Sequence, residues 1–127
     1  MKENENKIKD VTTEIEYKNK TYHLVFNLNV MQEIQEEYGT IEKWGALTDG
    51  TNGEVNIKAL IFGFTRMLNE GIEIENEENG ENATQYKPFT EKQVGRMITE
   101  IGLENMTKRL TETVIESTKS DNQQKNV

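Results

Sequence analysis

Apolar and polar positions alternate at the start of the chain. Val11, Thr13, Ile15 and Tyr17 fall on one face of a first segment, and Tyr22, Leu24, Phe26 and Leu28 on one face of a second. Period-two alternation built from β-branched and aromatic residues predicts two half-buried strands. Lys18-Asn19-Lys20-Thr21 separates them, and asparagine tolerates the positive φ of a tight turn. The expectation is a β-hairpin over residues 12–27. An isolated hairpin is marginal in water, so its apolar face has to pack on helices.

The period then changes. Asn29 stands where an N-cap belongs, with Gln32 three residues on as a capping-box partner. Val30, Met31, Ile34 and Tyr38 recur at helical spacing, Glu33, Glu36 and Glu37 take the wet face, and Gly39 closes the helix. Thr40 is placed to cap a short second helix carrying Ile41, Trp44 and Leu47. Thr48–Gly53 has the composition of a loop. A third helix, about 55–70, carries Ile57, Leu60, Ile61, Phe62, Phe64, Met67 and Leu68. It is apolar on more than one face, which makes it the centre of the core. Gly63 within it costs about 1 kcal/mol against alanine, a cost tolerated where another backbone approaches closely.

Gly71 is expected to end that helix. Residues 72–87 read as a polar, acidic loop, either opening with a short strand at Ile72 and Ile74 or mobile throughout. Thr90 with Gln93 makes another capping box, ahead of the stripe Val94, Met97, Ile98 and Ile101. Gly102 breaks the chain, and Leu103, Met106, Leu110 and Val114 carry a last helix to about Thr118. The fold class is therefore α+β, an N-terminal β-hairpin packed on a mainly α-helical domain of four to five helices. That domain spans residues 12–118, between tails at 1–11 and 119–127 expected to be disordered.

Composition narrows the chemistry. The 127 residues are 33% hydrophobic and 30% charged, enough for one modest core. The absence of cysteine excludes disulfides, thiolate metal sites and cysteine nucleophiles, and one histidine excludes a multi-histidine metal cluster. No apolar stretch approaches the ~20 residues of a membrane span, and MKENENKIKD lacks the apolar core of a signal peptide. The expectation is a soluble, intracellular protein with no membrane partner. A net charge of −8 repels phosphates and argues against nucleic acid. The excess is local, because residues 28–81 carry net −9.

Each chemical candidate has a plainer reading. His23 lies on the strand face opposite Tyr22 and Leu24, with no nucleophile or orienting partner signalled, and reads as a surface or packing residue. Asp49-Gly50-Thr51-Asn52-Gly53-Glu54 is like a calcium loop, but aligning Gly53 to the invariant glycine puts Ala59 where the bidentate acid belongs. Glu33, Glu36, Glu37 and Glu42 lie on a wet face with no cleft-lining tryptophans, unlike a glycosidase pair. The run Glu70, Glu73, Glu75, Glu77, Glu78 and Glu81 reads as a solvated loop. No phosphate loop, dinucleotide fingerprint or nucleophile elbow is present, so no catalytic residue, metal or cofactor is expected. Trp44 is either an anchor for the second helix or a partner hot spot, and the anchor is preferred.

One resemblance goes further. KTYHLVFNLNVMQEIQEEYGTIEKW, then NIKALIFGFTRML, then PFTEKQVGRMITEIGLENMTKRLTETVIES resembles the tail assembly chaperones of long-tailed bacteriophages, especially those of Gram-positive hosts. It covers roughly residues 12–118. It implies a non-enzymatic protein that coats the tape-measure protein and helps recruit major tail-tube subunits. It also implies a place in the cytoplasm of the bacterial host and absence from the mature virion. No site residue transfers one by one. In many members of this family a ribosomal frameshift appends a second domain, and Gln124-Lys125-Asn126 can be encoded by a slippery string. The insert at 72–87 departs from the family's pattern.

The residues suggest where a partner binds. The stripe Leu103, Met106, Leu110 and Val114 follows the Gly102 break and can swing, so it is the candidate surface for a partner or for self-association, and Trp44 is a further, separate candidate. The competing expectation is a small acidic regulatory or inhibitory protein that mimics nucleic acid through residues 28–81.

Overall fold

A computed structural model describes residues 12–51 and 53–126, so the N-terminal tail lies outside the described residues. Strands β1 (Thr12–Tyr17) and β2 (Lys20–Val25) pair antiparallel, with Thr13 opposite Leu24 and Ile15 opposite Tyr22. The turn between them is two residues long. Lys18 and Asn19 have φ of 49° and 65°, the double left-handed geometry whose twist suits a two-residue hairpin. Five helices follow: α1 (Leu28–Tyr38), α2 (Ile41–Thr48), α3 (Ile57–Asn79), α4 (Glu91–Ile101) and α5 (Leu103–Asn126). This is the expected α+β arrangement of a hairpin and a mainly helical domain.

Most caps follow the sequence reading. Thr40 accepts from Lys43 N at 3.0 Å, and Gly39 closes α1 with φ 92°. Thr90 and Gln93 form the reciprocal box, at 3.1 Å from Gln93 N to Thr90 Oγ1 and 2.8 Å from Thr90 N to Gln93 Oε1. The start of α1 differs. Asn27, not Asn29, is the cap and accepts from Val30 N at 3.2 Å. Both asparagines have the capping chemistry, and Glu70 holds both, accepting from Asn27 Nδ2 at 2.8 Å and from Asn29 Nδ2 at 3.1 Å. Leu28 is thereby moved off the strand face onto the first turn of α1, where it is 78% exposed.

The central helix is longer than its sequence suggests. It does not stop at Gly71, and residues 72–79 of the expected acidic loop are its last two turns. The buried positions Leu60, Phe64, Met67, Leu68 and Ile72 keep helical spacing across Gly71. Gly71 is there for a packing reason. A Cβ on it would stand 2.1 Å from the backbone oxygen of His23, so β2 crosses the helix at a spot with no room for a side chain. A backbone approach was expected at Gly63 instead. There the neighbour is the Trp44 ring, whose Cζ2 would lie 2.2 Å from a Cβ. The helix ends at Gly80, with φ 86°.

The segment after α3 is strapped to it. Asn76 accepts from Tyr86 N and donates to Tyr86 O, both at 2.9 Å. Asn69 repeats the pattern with Phe89, accepting at 2.8 Å and donating at 2.9 Å. Seven residues apart, the two amides lie on one face of α3 and satisfy both backbone groups of each partner. At the other end of the chain, α5 does not stop near Thr118. Its backbone is helical to Asn126, and no glycine or proline after Gly102 interrupts it.

Three of the four glycines inside helices, Gly63, Gly71 and Gly95, have neighbours close to where a Cβ would stand, and those neighbours differ. Urea denaturation is expected to show Gly71→Ala and Gly63→Ala each losing about 1–3 kcal/mol or more, because a rigid neighbour must move. Gly95→Ala meets only Ile61 Cδ1 at 3.6 Å and is expected to gain up to about 1 kcal/mol from helix propensity.

Candidate interaction surfaces

The predicted partner stripe is mostly core. Met106 and Leu110 are 0% and 1% exposed, and Val114 packs against the core from its edge. The reason is that α5 does not swing on Gly102 but lies along β1. Arg109 Nη1 donates to Glu14 O at 2.6 Å, and Thr113 hydrogen-bonds Thr13. Trp44 is also buried, 1% exposed, with its Nε1 donating to Ala59 O at 2.9 Å, so it is the anchor of α2. Of the five candidates Leu103, 43% exposed, offers the most surface, and Val114 is half-buried.

The chemical candidates stay apart. His23 is half-buried opposite Glu14, with its carbonyl against Gly71. Asp49 Oδ1 accepts from Thr51 N at 2.9 Å and from Thr51 Oγ1 at 2.8 Å, which is a turn closed on itself. Among the described residues no group of three histidine, aspartate or glutamate side chains is arranged to hold a metal ion. No described helix is long and apolar enough to cross a membrane.

Two grooves flank α3. The first lies between α1 and the C-terminal half of α3, has a volume of about 440 Å³, and is lined by Glu33, Glu36, Glu70, Glu73 and Glu77. These carboxylates line up only because residues 70–79 are helical, which brings 70, 73 and 77 onto one face opposite 33 and 36. Read as a loop, the acidic run gave no such alignment. Glu75 points elsewhere, 2.9 Å from Lys20 Nζ.

The second groove lies between the N-terminal half of α3 and α4, with a volume of about 500 Å³. Its floor is apolar, with Ile57, Leu60, Ile61, Ile98 and Leu103, and Lys92 and Arg96 stand on its α4 side. Ile57 is 49% exposed. Sequence reasoning placed Ile57 and Ile61 in the core. The signal it missed was Gly95, which leaves α4 without a side chain where the stripe of α3 would otherwise be covered.

Lys20 ties the hairpin to both α3 and the strap. Its ammonium lies 4.0 Å from the Tyr86 ring centroid and 5.2 Å from that of Tyr22, beside Glu75. Burial alone lowers the Lys20 pKa, but the hydrogen bond and charge of Glu75 outweigh it and leave the pKa raised. Burial also raises the Tyr22 phenol, against the opposing Lys20 charge. Compared with known proteins, the chain matches no family model, no curated protein and no solved structure.

Two outcomes test these placements. Leu110→Asp puts an unpaired charge into the core and is expected to unfold the domain, read as loss of the cooperative thermal transition in circular dichroism. Lys20 and Tyr22 both have folded pKa values above their unfolded ones. Their contribution is therefore complete below pH about 10 and lost as pH rises through the folded values. Urea midpoints are expected to fall from pH about 9 to about 11, and to fall less steeply in Lys20→Met.

Proposed function

We propose that this protein is a non-enzymatic tail assembly chaperone of a long-tailed bacteriophage, of the type found with Gram-positive hosts. In this reading it binds the tape-measure protein, helps recruit major tail-tube subunits in the host cytoplasm, and is absent from the mature virion. The observation that carries the reading is the succession of segments over residues 12–118, from the hairpin ending in KTYHLVFNLNV to the closing PFTEKQVGRMITEI, which resembles that family. Two physical features support it. A long, mainly helical tape-measure chain exposes apolar stripes, and the α3–α4 groove exposes Ile57 and Leu103 to meet one. The net charge of −8 would keep a coated assembly in solution.

A second reading rests on the other groove. Five glutamates facing one another between α1 and α3 suit an acidic inhibitor that imitates nucleic acid and captures a basic protein. Salt separates the two, because a mimic loses affinity steeply with ionic strength and an apolar contact does not. Co-expression with a tape-measure protein is expected to bring that protein into the soluble fraction and to co-purify it at low and high salt. A tape-measure protein that stays insoluble with the chain present in excess would refute the chaperone reading.

A further inference from the structure

The groove between α3 and α4 is bordered by two cations, unlike the glutamate-lined groove on the other half of α3. Lys92 and Arg96 are one turn apart on the exposed side of α4, and neither has an ion-pair partner among the described residues. Glu91, also at the groove, is drawn toward Arg66 at 3.8 Å. On a chain of net −8, two unpaired cations thus border the apolar floor where Ile57 and Leu103 stay half exposed. Gly95 keeps that floor open, since any side chain there would extend toward Ile61.

We propose that this groove docks an amphipathic helix of another protein, one whose apolar stripe is flanked by carboxylates. Its walls are helices, and an extended segment would need a sheet edge for its backbone hydrogen bonds, which these walls lack. Between Lys92 and Thr99 α4 rises about 10 Å, or two turns of an incoming helix, enough for anchors at i, i+4 and i+7. Charge selects the flank. Carboxylates are repelled by the glutamate-lined groove on the far half of α3 and attracted by Lys92 and Arg96, so of these two grooves this is the one that suits an acidic helix. Within the chaperone reading this is the contact with the tape-measure protein, but it requires only an acidic-flanked helix, and the two can fail separately.

The probe is a pair of labelled synthetic helices of about five turns, sharing one apolar stripe and flanked by glutamate or by lysine, titrated with the full chain by fluorescence anisotropy. The glutamate-flanked helix is expected to bind about tenfold tighter, against the preference that the net charge alone dictates. Lys92→Glu with Arg96→Glu is expected to reverse that order. Both side chains are exposed, so the thermal transition should stay intact. Gly95→Leu is expected to weaken both peptides by plugging the floor. Equal affinities, a preference of the wild-type chain for the lysine-flanked helix, or an order unchanged by the double reversal would overturn the proposal. So would a self-association of this chain that the reversal abolishes, since the groove would then belong to a second copy. In a co-purified tape-measure complex, hydrogen-exchange protection over residues 57–61 and 92–103 supports the groove. Protection confined to the face of Glu33 and Glu73 overturns it while leaving the chaperone reading standing.

Discussion

The structure depends on α3 being approached closely from two sides. At Gly71 the backbone of β2 lies against the helix, and at Gly63 the Trp44 ring does. Both contacts are closer than any side chain on α3 would permit. A Cβ at Gly71 would push the hairpin off the helix and pull apart what depends on its position, the Lys20–Glu75 ion pair and the hold of Glu70 on Asn27. Each glycine weakens the helix by about 1 kcal/mol of propensity, offset here by burial of the large side chains on either side. Trp44, Phe64, Leu24 and Leu68 are all nearly or fully buried in the resulting core.

The second constraint is polar. Residues 80–90 have no regular structure and run exposed along α3 except at Tyr86 and Phe89, whose half-buried backbone groups need partners. Asn69 and Asn76 supply them at Phe89 and Tyr86. The strap delivers the chain to the Thr90 cap at a defined place, and this sets where α4 begins. The position of α4 in turn makes the wall of the apolar groove.

As a result α3 presents unlike surfaces along its length. Its N-terminal half borders an apolar groove with two cations, and its C-terminal half borders a groove of glutamates. The acidic half is held against local tendency. Glutamates near a helix C-terminus oppose the helix dipole, and no basic residue lies in the last turn of α3 to relieve them. Lys20 reaches across from the hairpin to do part of this, and Asn27 and Asn29 hold Glu70.

The amino-acid sequence by itself determined the hairpin, the order of the helices and several caps, because these follow from period and from side chains acting within a few residues. Thr40, Thr90 with Gln93, and Gly39 are legible for that reason. It also marked α3 as the centre of the core from its wide apolar face. It misplaced what depends on contacts distant in the chain. Gly71 looked like a helix end because glycine is a stop signal unless something packs on it, and the packing partner, His23, is 48 residues away in sequence. Glutamates after it looked like a loop because the part-buried hydrogen bonds of Asn69 and Asn76 leave no periodic trace. Leu103, Met106, Leu110 and Val114 formed a legible stripe, but a stripe shows only that something covers it. That Met106 and Leu110 are covered where α5 lies along β1, and that the uncovered apolar surface lies at Ile57 and at Leu103, the stripe's first residue, was decided by how the elements pack in three dimensions.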